Sequence, residues 1–250
     1  QWEQDYGEES DFFKVRVRGE FPSVSSTQFI SSLVAEDARK REARCDVYDP
    51  MVLGVDVGRF GDDPSVIYPR KGNDARTWKP QAFYGLDTQQ VAAHVARMAN
   101  ELKADAIFVD GGGVGGGVVD RLRMLNYDVI EVQFGAKADR AMQTEVGNAG
   151  EKYANKRAEI WGSMRAALPH TAIDESQVLL DDLTGVEYSY NLRNEIVLES
   201  KEVMKARGLA SPDHGDALAL TYAYPVKLKT IEQVKAAADG RSGTDYDPYA

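Results

Sequence analysis

The chain has 250 residues, 43% of them apolar and 28% charged, which excludes a disordered chain, a collagen or a coiled coil and suits one domain, or at most two small ones. Lys and Arg total 30 against 40 Asp and Glu, a formal charge of −10, so the chain as a whole repels polyanions and any contact with nucleic acid has to be local. No run reaches the roughly 18 apolar residues of a membrane helix, and Gln1-Trp2-Glu3-Gln4 lacks the parts of a signal peptide. The single Cys45 excludes an internal disulfide or a cysteine-built zinc site, so a soluble protein of a reducing compartment is expected. The missing initiator Met suggests a fragment.

Residues 1–50 read as an approach segment: an acidic start, the alternation Val15-Arg16-Val17-Arg18, a break at Phe21-Pro22-Ser23, and a helix from Ser26 to Arg44 capped by Ser26 or Thr27. Met51–Val57 is a buried strand ending in an acid, Gly58–Pro64 a tight turn, and Ser65–Tyr68 the antiparallel return. A third strand near Gln81–Tyr84 completes a meander. Val91, Val95, Met98 and Leu102 stand at helical spacing within Thr88–Leu102. Ala106–Asp110 is again an apolar strand ending in an acid; the glycine run Gly111–Gly117 leads into a helix at Val118–Leu125, and Val129–Val132 is one more strand. A helix over Asn155–Leu168, a hairpin of Val186–Tyr190 with Glu195–Glu199, and a helix over Asp213–Ala223 follow; the tail from Lys229 reads as disordered. This order predicts a mixed α/β sheet, a three-strand antiparallel meander with parallel strands added through crossover helices, over residues 51–228.

Two strands end in aspartate, Asp56 and Asp110, and Asp213 and Asp216 open the last helix. Neighbouring strand ends lie about 5 Å apart, so Asp56 and Asp110 converge if their strands pair, and a helix starting over that edge brings Asp213 to them. Carboxylates gathered at one point need a cation, and oxygen ligation without His or Cys selects Mg²⁺ or Mn²⁺. Such a cluster suits phosphodiester hydrolysis assisted by two ions. Any one of these acids alone is a common solvated strand end; three in this order are not. Asp62 is either a turn former in Gly61-Asp62-Asp63-Pro64 or an outer ligand of a second ion.

Gly111-Gly112-Gly113-Val114-Gly115-Gly116 satisfies G-x-G-x-x-G after a strand, with Glu131 about 20 residues on, as a dinucleotide site requires. Asp110 beside the loop opposes a bound pyrophosphate. Close approach of backbone to a nucleic acid, or a plain tight turn, are the other readings. The chain has no P-loop, and His94, His170 and His214 form no zinc pattern; His214, inside the last acidic motif, reads as a neutral bystander or a group near the reaction. The local basic residues Lys152, Lys156, Arg157, Lys201 and Arg207 are the candidates to meet DNA phosphate.

Four segments together resemble the nuclease domain of large terminase subunits of tailed bacteriophages. They are Leu53–Asp63, Val109–Gly115, Asn155-Lys156-Arg157-Ala158-Glu159-Ile160-Trp161 and Ser211-Pro212-Asp213-His214-Gly215-Asp216-Ala217-Leu218, and Gly19-Glu20-Phe21-Pro22 looks like that family's link from motor to nuclease. The resemblance covers about residues 6–225. It implies an RNase H-like fold, two Mg²⁺ or Mn²⁺ ions and cleavage of concatemeric double-stranded DNA in the host cytoplasm. Carried over by position, Asp56, Asp110 and Asp213 are the catalytic acids and metal ligands, with Asp216 on the family's Asp-Ala pair. Where the family often has two adjacent acids, the first here is Pro212, which leaves open whether Asp213 or Asp216 holds metal. The partners implied are an N-terminal ATPase motor on the same polypeptide, a portal protein and a small terminase subunit. The rival readings are an actin-like ATPase or sugar kinase, which shares the Asp-x-Gly hairpin and the Asp-Gly-Gly loop, and a non-catalytic packaging module with vestigial acids.

Overall fold

The computed structural model describes residues 27–58, 63–139 and 151–238. The expected features at residues 1–26, the turn residues 59–62 with Asp62, and residues 239–250 lie outside the described residues. Strands β1 (Met51–Asp56), β2 (Ser65–Lys71), β3 (Asp74–Ala75), β4 (Gln81–Phe83), β5 (Ala106–Asp110), β6 (Val129–Val132) and β7 (Ala172–Ile173) form one seven-stranded sheet in the order β6-β5-β1-β2-β3-β7, with β4 also on β2. β1, β2 and β4 are the antiparallel meander; β5 joins β1, and β6 joins β5, in parallel. A separate hairpin pairs β8 (Tyr188–Tyr190) with β9 (Ile196–Leu198). The mixed sheet expected from the sequence is therefore present.

The sheet is covered on both faces, which is why β1 reads as a continuous apolar run and is buried at all six positions. Alternation along the strands splits the core. Leu53, Val55, Ile67, Ile107 and Val109 pack beneath α2 (Thr88–Leu102) and α3 (Gly115–Met124). Val52, Val66, Tyr68 and Phe108 face a larger cluster with Ile160, Trp161, Leu183 and Leu218, which belong to α4 (Lys156–Ala167), α5 (Gln177–Gly185) and α7 (Asp213–Leu220). Short α6 (Lys201–Ala206) lies between the hairpin and α7 in the chain. Local signals set several of these boundaries. Asp87 and Gln90 close a capping box on α2, and Asn155 accepts from the Ala158 N–H to start α4.

The structure differs from the sequence expectation in five places. The first helix, α1, spans only Ser32–Lys40 and is capped by Ser31, not Ser26 or Thr27. The cause is tertiary: Gln28 bridges Glu187 and the Phe29 N–H bonds the Val186 carbonyl, so these residues are held extended. Phe29, Ile30, Ala35 and Ala38 then join the core, so the folded unit begins upstream of residue 51. Helix α3 starts at Gly115 rather than Val118. The pairs β3 and β7 and the helices α5 and α6 had no sequence counterpart. In the tail expected to be disordered, Ile231–Ala238 forms helix α8, after Lys229 has been tied to the Tyr48 carbonyl and the Asp105 carboxylate.

Helix α7 crosses β1 at Gly54, where a Cβ would lie 2.0 Å from the Ala217 carbonyl oxygen. No rotamer relieves a clash with backbone, so Gly54→Ala is expected to destabilise the domain by about 2 kcal/mol or more, in the range of forced overpacking. The measurement is the urea midpoint, which should fall at an unchanged m-value.

Candidate metal centre

Asp56 and Asp110 each stand one residue beyond the in-register parallel pair Val55 and Val109, so both carboxylates leave the sheet at the same edge and on the same face. Helix α7, seated on β1 through Gly54, starts over that edge. It carries Asp213 in its first turn and Asp216 three residues on, on one helix face. The structure thus brings together the four acids that the sequence singled out and that lie among the described residues. Three of them edge a groove of about 520 Å³, whose lining includes Asp56, Asp110, Asp213, Arg157, Lys201 and Lys205, while Asp216 lies buried behind it.

The centre of the cluster holds a side-chain cation. Lys201 from α6 places its Nζ 3.0 Å from Asp56 Oδ2, 3.0 Å from Asp213 Oδ1 and 3.2 Å from Asp216 Oδ2. Among the described residues no three acidic, imidazole or thiol groups are clustered as a metal ion requires, because the carboxylates are arranged around this ammonium. The donor set itself is all oxygen and is ordered about a positive charge, a chemistry that fits a hard divalent cation.

The acids are not equivalent. Asp216 has no exposed surface, and its oxygens accept from Arg157 Nε at 2.8 Å, Trp161 Nε1 at 2.8 Å and a second Arg157 nitrogen at 3.3 Å, besides Lys201. Burial opposes its charge, but Arg157 and Lys201 outweigh burial and hold its carboxyl below the usual range. Asp56 is as deeply buried and lacks an arginine. Burial pushes its carboxyl up to about 8, with Lys201 pulling against burial and Asp216 and Asp213 adding to it. Asp110 is also raised by burial, against a hydrogen bond from the Gly112 N–H. The same carboxylates hold Lys201 in its charged form: desolvation works against the ammonium, and Asp56, Asp216 and Asp213 more than offset it.

The basic residues expected to meet phosphate are mostly committed elsewhere. Lys156, 3% exposed, is spent on Glu159 at 2.5 Å and the Tyr224 ring. Arg157 is spent on Asp216 and on the Glu199 carbonyl. Arg207 pairs with Glu187 and Glu199, while Lys152 is exposed beside the hairpin. Lys201 belongs to the acid cluster itself. Lys205, in the same basic stretch as Lys201 and Arg207, reaches Asp63 at 2.8 Å beside the groove, and the group that the sequence reading missed is Asp182 on α5. Asp182 is buried behind Asp213 and its carboxyl is pushed up to about 8 by burial, with hydrogen bonds from the Gly215 and His214 N–H groups acting the other way. Burial lowers the pKa of His214, which favours the neutral ring of a bystander. No local pattern marks Asp182, because α5 was not legible.

The glycine run serves the turn. A Cβ at Gly115 would lie 1.8 Å from the Asp110 carbonyl oxygen, so the chain doubles back from β5 into α3 only with glycine there. The Gly112 N–H is bonded to Asp110 Oδ1 at 3.0 Å, so this donor of the loop is turned to the aspartate rather than to a phosphate.

No family model matches the sequence, and no curated protein matches it. Solved structures do. The nuclease domain of the large terminase subunit of bacterial virus Sf6 is similar over 79% of this chain and 99% of that one, with a TM-score of 0.66 and 20% identity. A mutant of that domain, solved with manganese and beta-thujaplicinol, gives a TM-score of 0.64 at 20% identity over 79% of this chain and 99% of that one. The large terminase nuclease of thermophilic phage G20c with bound magnesium gives 0.53 at 13% identity, over 78% and 97%. The chain therefore has the fold of large terminase nuclease domains.

The metal-free centre carries a pH signature. Asp56 titrates higher in the folded than in the unfolded chain, so its contribution is greatest below about pH 4 and is lost as pH rises through about 8. Asp56→Asn, neutral throughout, should gain on the parent in thermal melting steadily from pH 5 to pH 8.5, by roughly 3 °C or more, in metal-free buffer. A gap that stays constant with pH would show that Asp56 is ionised at both values.

Proposed function

We propose that this chain is the metal-dependent endonuclease domain of a DNA-packaging terminase, cutting concatemeric double-stranded DNA. The observation that carries the reading is that Asp56 and Asp213 share a cation, Lys201, and line one groove together with Asp110, on the fold of domains crystallised with manganese and magnesium. Asp56, Asp110 and Asp213 would hold two Mg²⁺ or Mn²⁺ ions, with Asp62 on the outer side of the second. Asp216 is the anchor of this group rather than its late ligand, since its oxygens are occupied by Arg157, Trp161 and Lys201. Bound there, the ions supply neutralisation of a phosphodiester and an acidified water.

The protein's own residues do the rest. Arg157 and Trp161 fix Asp216 and hence the helix that carries Asp213. Lys201 neutralises the cluster while it is metal-free and yields its place on loading. We assign contact with backbone phosphate to Lys152 and, once freed from Asp63, to Lys205, with Lys201 joining them if it leaves the acids. The proposed partners are an ATPase motor on the same polypeptide, a portal protein and a small terminase subunit, working in the host cytoplasm.

Plasmid nicking in Mn²⁺ tests the reading. Asp56→Asn and Asp110→Asn should each lose at least about 100-fold in rate, beyond the roughly 10–100-fold that disturbing a metal's outer partners costs. Parental nicking by Asp56→Asn would sink it. Removing the internal cation has the opposite sign for binding: Lys201→Ala should bind Mn²⁺ about tenfold more tightly by calorimetry, because the ion no longer competes with an ammonium. The same variant should melt lower without metal, since the carboxylates are left facing one another.

A further inference from the structure

Helix α7 begins without a cap of its own. Its N-cap residue is Pro212, which offers no side-chain acceptor, yet the first turn carries Asp213. The N–H groups of His214 and Gly215 are taken instead by a single oxygen, Oδ2 of Asp182, at 2.9 and 3.1 Å. Asp182 comes from the neighbouring helix α5 and is buried. The fit is close on the other side as well: a Cβ at Gly215 would lie 2.9 Å from Trp161 and 3.3 Å from the Asp182 Cβ. Trp161 in turn donates to Asp216.

We infer that Asp182 is a positioning residue of the proposed site, an acceptor borrowed from α5 that fixes the first turn of α7 and so sets where the Asp213 carboxylate stands. The geometry is independent of the nuclease reading; the functional consequence rests on it. Loss of the acceptor acts selectively. Uncapped N–H groups loosen a helix within its first turn, and that turn holds Asp213. Asp216 stays tied to Arg157 and Trp161, and Ala217–Leu220 stay buried, so the rest of α7 keeps its place. The sequence gives a reason for the arrangement. With proline at the cap position, no residue of α7's own start can supply the oxygen, and a residue distant in sequence has to.

Two substitutions separate acceptor from bulk. Asp182→Asn keeps the shape and sets a carbonyl oxygen where Oδ2 stands, while Asp182→Leu keeps the branched outline without an acceptor. Four quantities are compared with the parent: melting temperature, amide hydrogen exchange at His214 and Gly215, the Mn²⁺ concentration giving half-maximal plasmid nicking, and KM for plasmid. For Asp182→Leu the expected result is exchange at both amides at least tenfold faster and about tenfold more Mn²⁺ at half-saturation, with KM within twofold. Asp182→Asn should stay within twofold of the parent in exchange, Mn²⁺ half-saturation and KM. Parental exchange in the Leu variant overturns the inference, as does faster exchange with an unchanged Mn²⁺ requirement, or an Asn variant as impaired as Leu. If Asp182→Leu does not fold, Asp182→Ser, too short to reach both amides, carries the same expectations. A parent that fails to nick sinks the nuclease reading alone; Asp182 is then read from amide exchange and from Mn²⁺ calorimetry.

Discussion

Four carboxylates at one sheet edge, three of them buried, repel one another in a low-dielectric setting where an unpaired charge is very costly. The domain meets that constraint with two cations of different character. Arg157 grips Asp216 through two of its nitrogens, with the indole of Trp161 as a third donor, and this acid is committed to its charged form. Lys201, a single ammonium on a flexible stem, is shared among Asp56, Asp213 and Asp216. Equal burial therefore yields opposite outcomes. Asp216 is a fixed anion of the scaffold, whereas Asp56 is held in a state that a stronger cation would relieve.

The arginine also decides where the lysine can be. Arg157 starts on α4, pairs with Asp216 on α7 and donates to the Glu199 carbonyl, two residues before Lys201. The same Glu199 takes Arg207 at the far end of α6, whose backbone turn is capped by Ser200. The short helix carrying Lys201 is thus pinned at its two ends and bears the movable group between them. Scaffold and site are built from one chain of polar contacts, in which the guanidinium is the rigid part and the ammonium the exchangeable part.

What could be read from the sequence follows from how local each signal is. Apolar runs ending in Asp56 and Asp110 and the Thr88–Leu102 periodicity carry their information within a few residues, and all are found in place. The two-residue strands β3 and β7 exist only because they pair with each other and with β2, so nothing in Asp74-Ala75 or Ala172-Ile173 announces them. The basic residues show how residue type alone leaves the partner open. Lys156 and Arg157 have the residue types of phosphate contacts, but their partners, Glu159 and Asp216, are set by burial of α4 against α7. The glycine run fits a nucleotide pattern letter by letter, yet its glycines answer to the close return past Asp110. Asp182 was invisible for the same reason as β3: the two amides it accepts from belong to a helix that starts at Asp213, far away in sequence.

The charge of the groove completes the physical picture. Asp56, Asp63, Asp110, Glu199, Glu202 and Asp213 line it against Arg157, Lys201 and Lys205, and Arg157 is already spent. A polyanion entering such a groove meets net repulsion until divalent cations change its sign. Under the proposed reading, metal loading and substrate entry would be coupled by charge, an ion in place of the ammonium adding attraction and freeing Lys201. On an acidic chain with few uncommitted bases nearby, that attraction is local and modest. Under the proposed reading, the holding of DNA falls to the neighbouring parts of the packaging assembly, and this domain contributes a site that is repulsive when empty of metal and competent when filled.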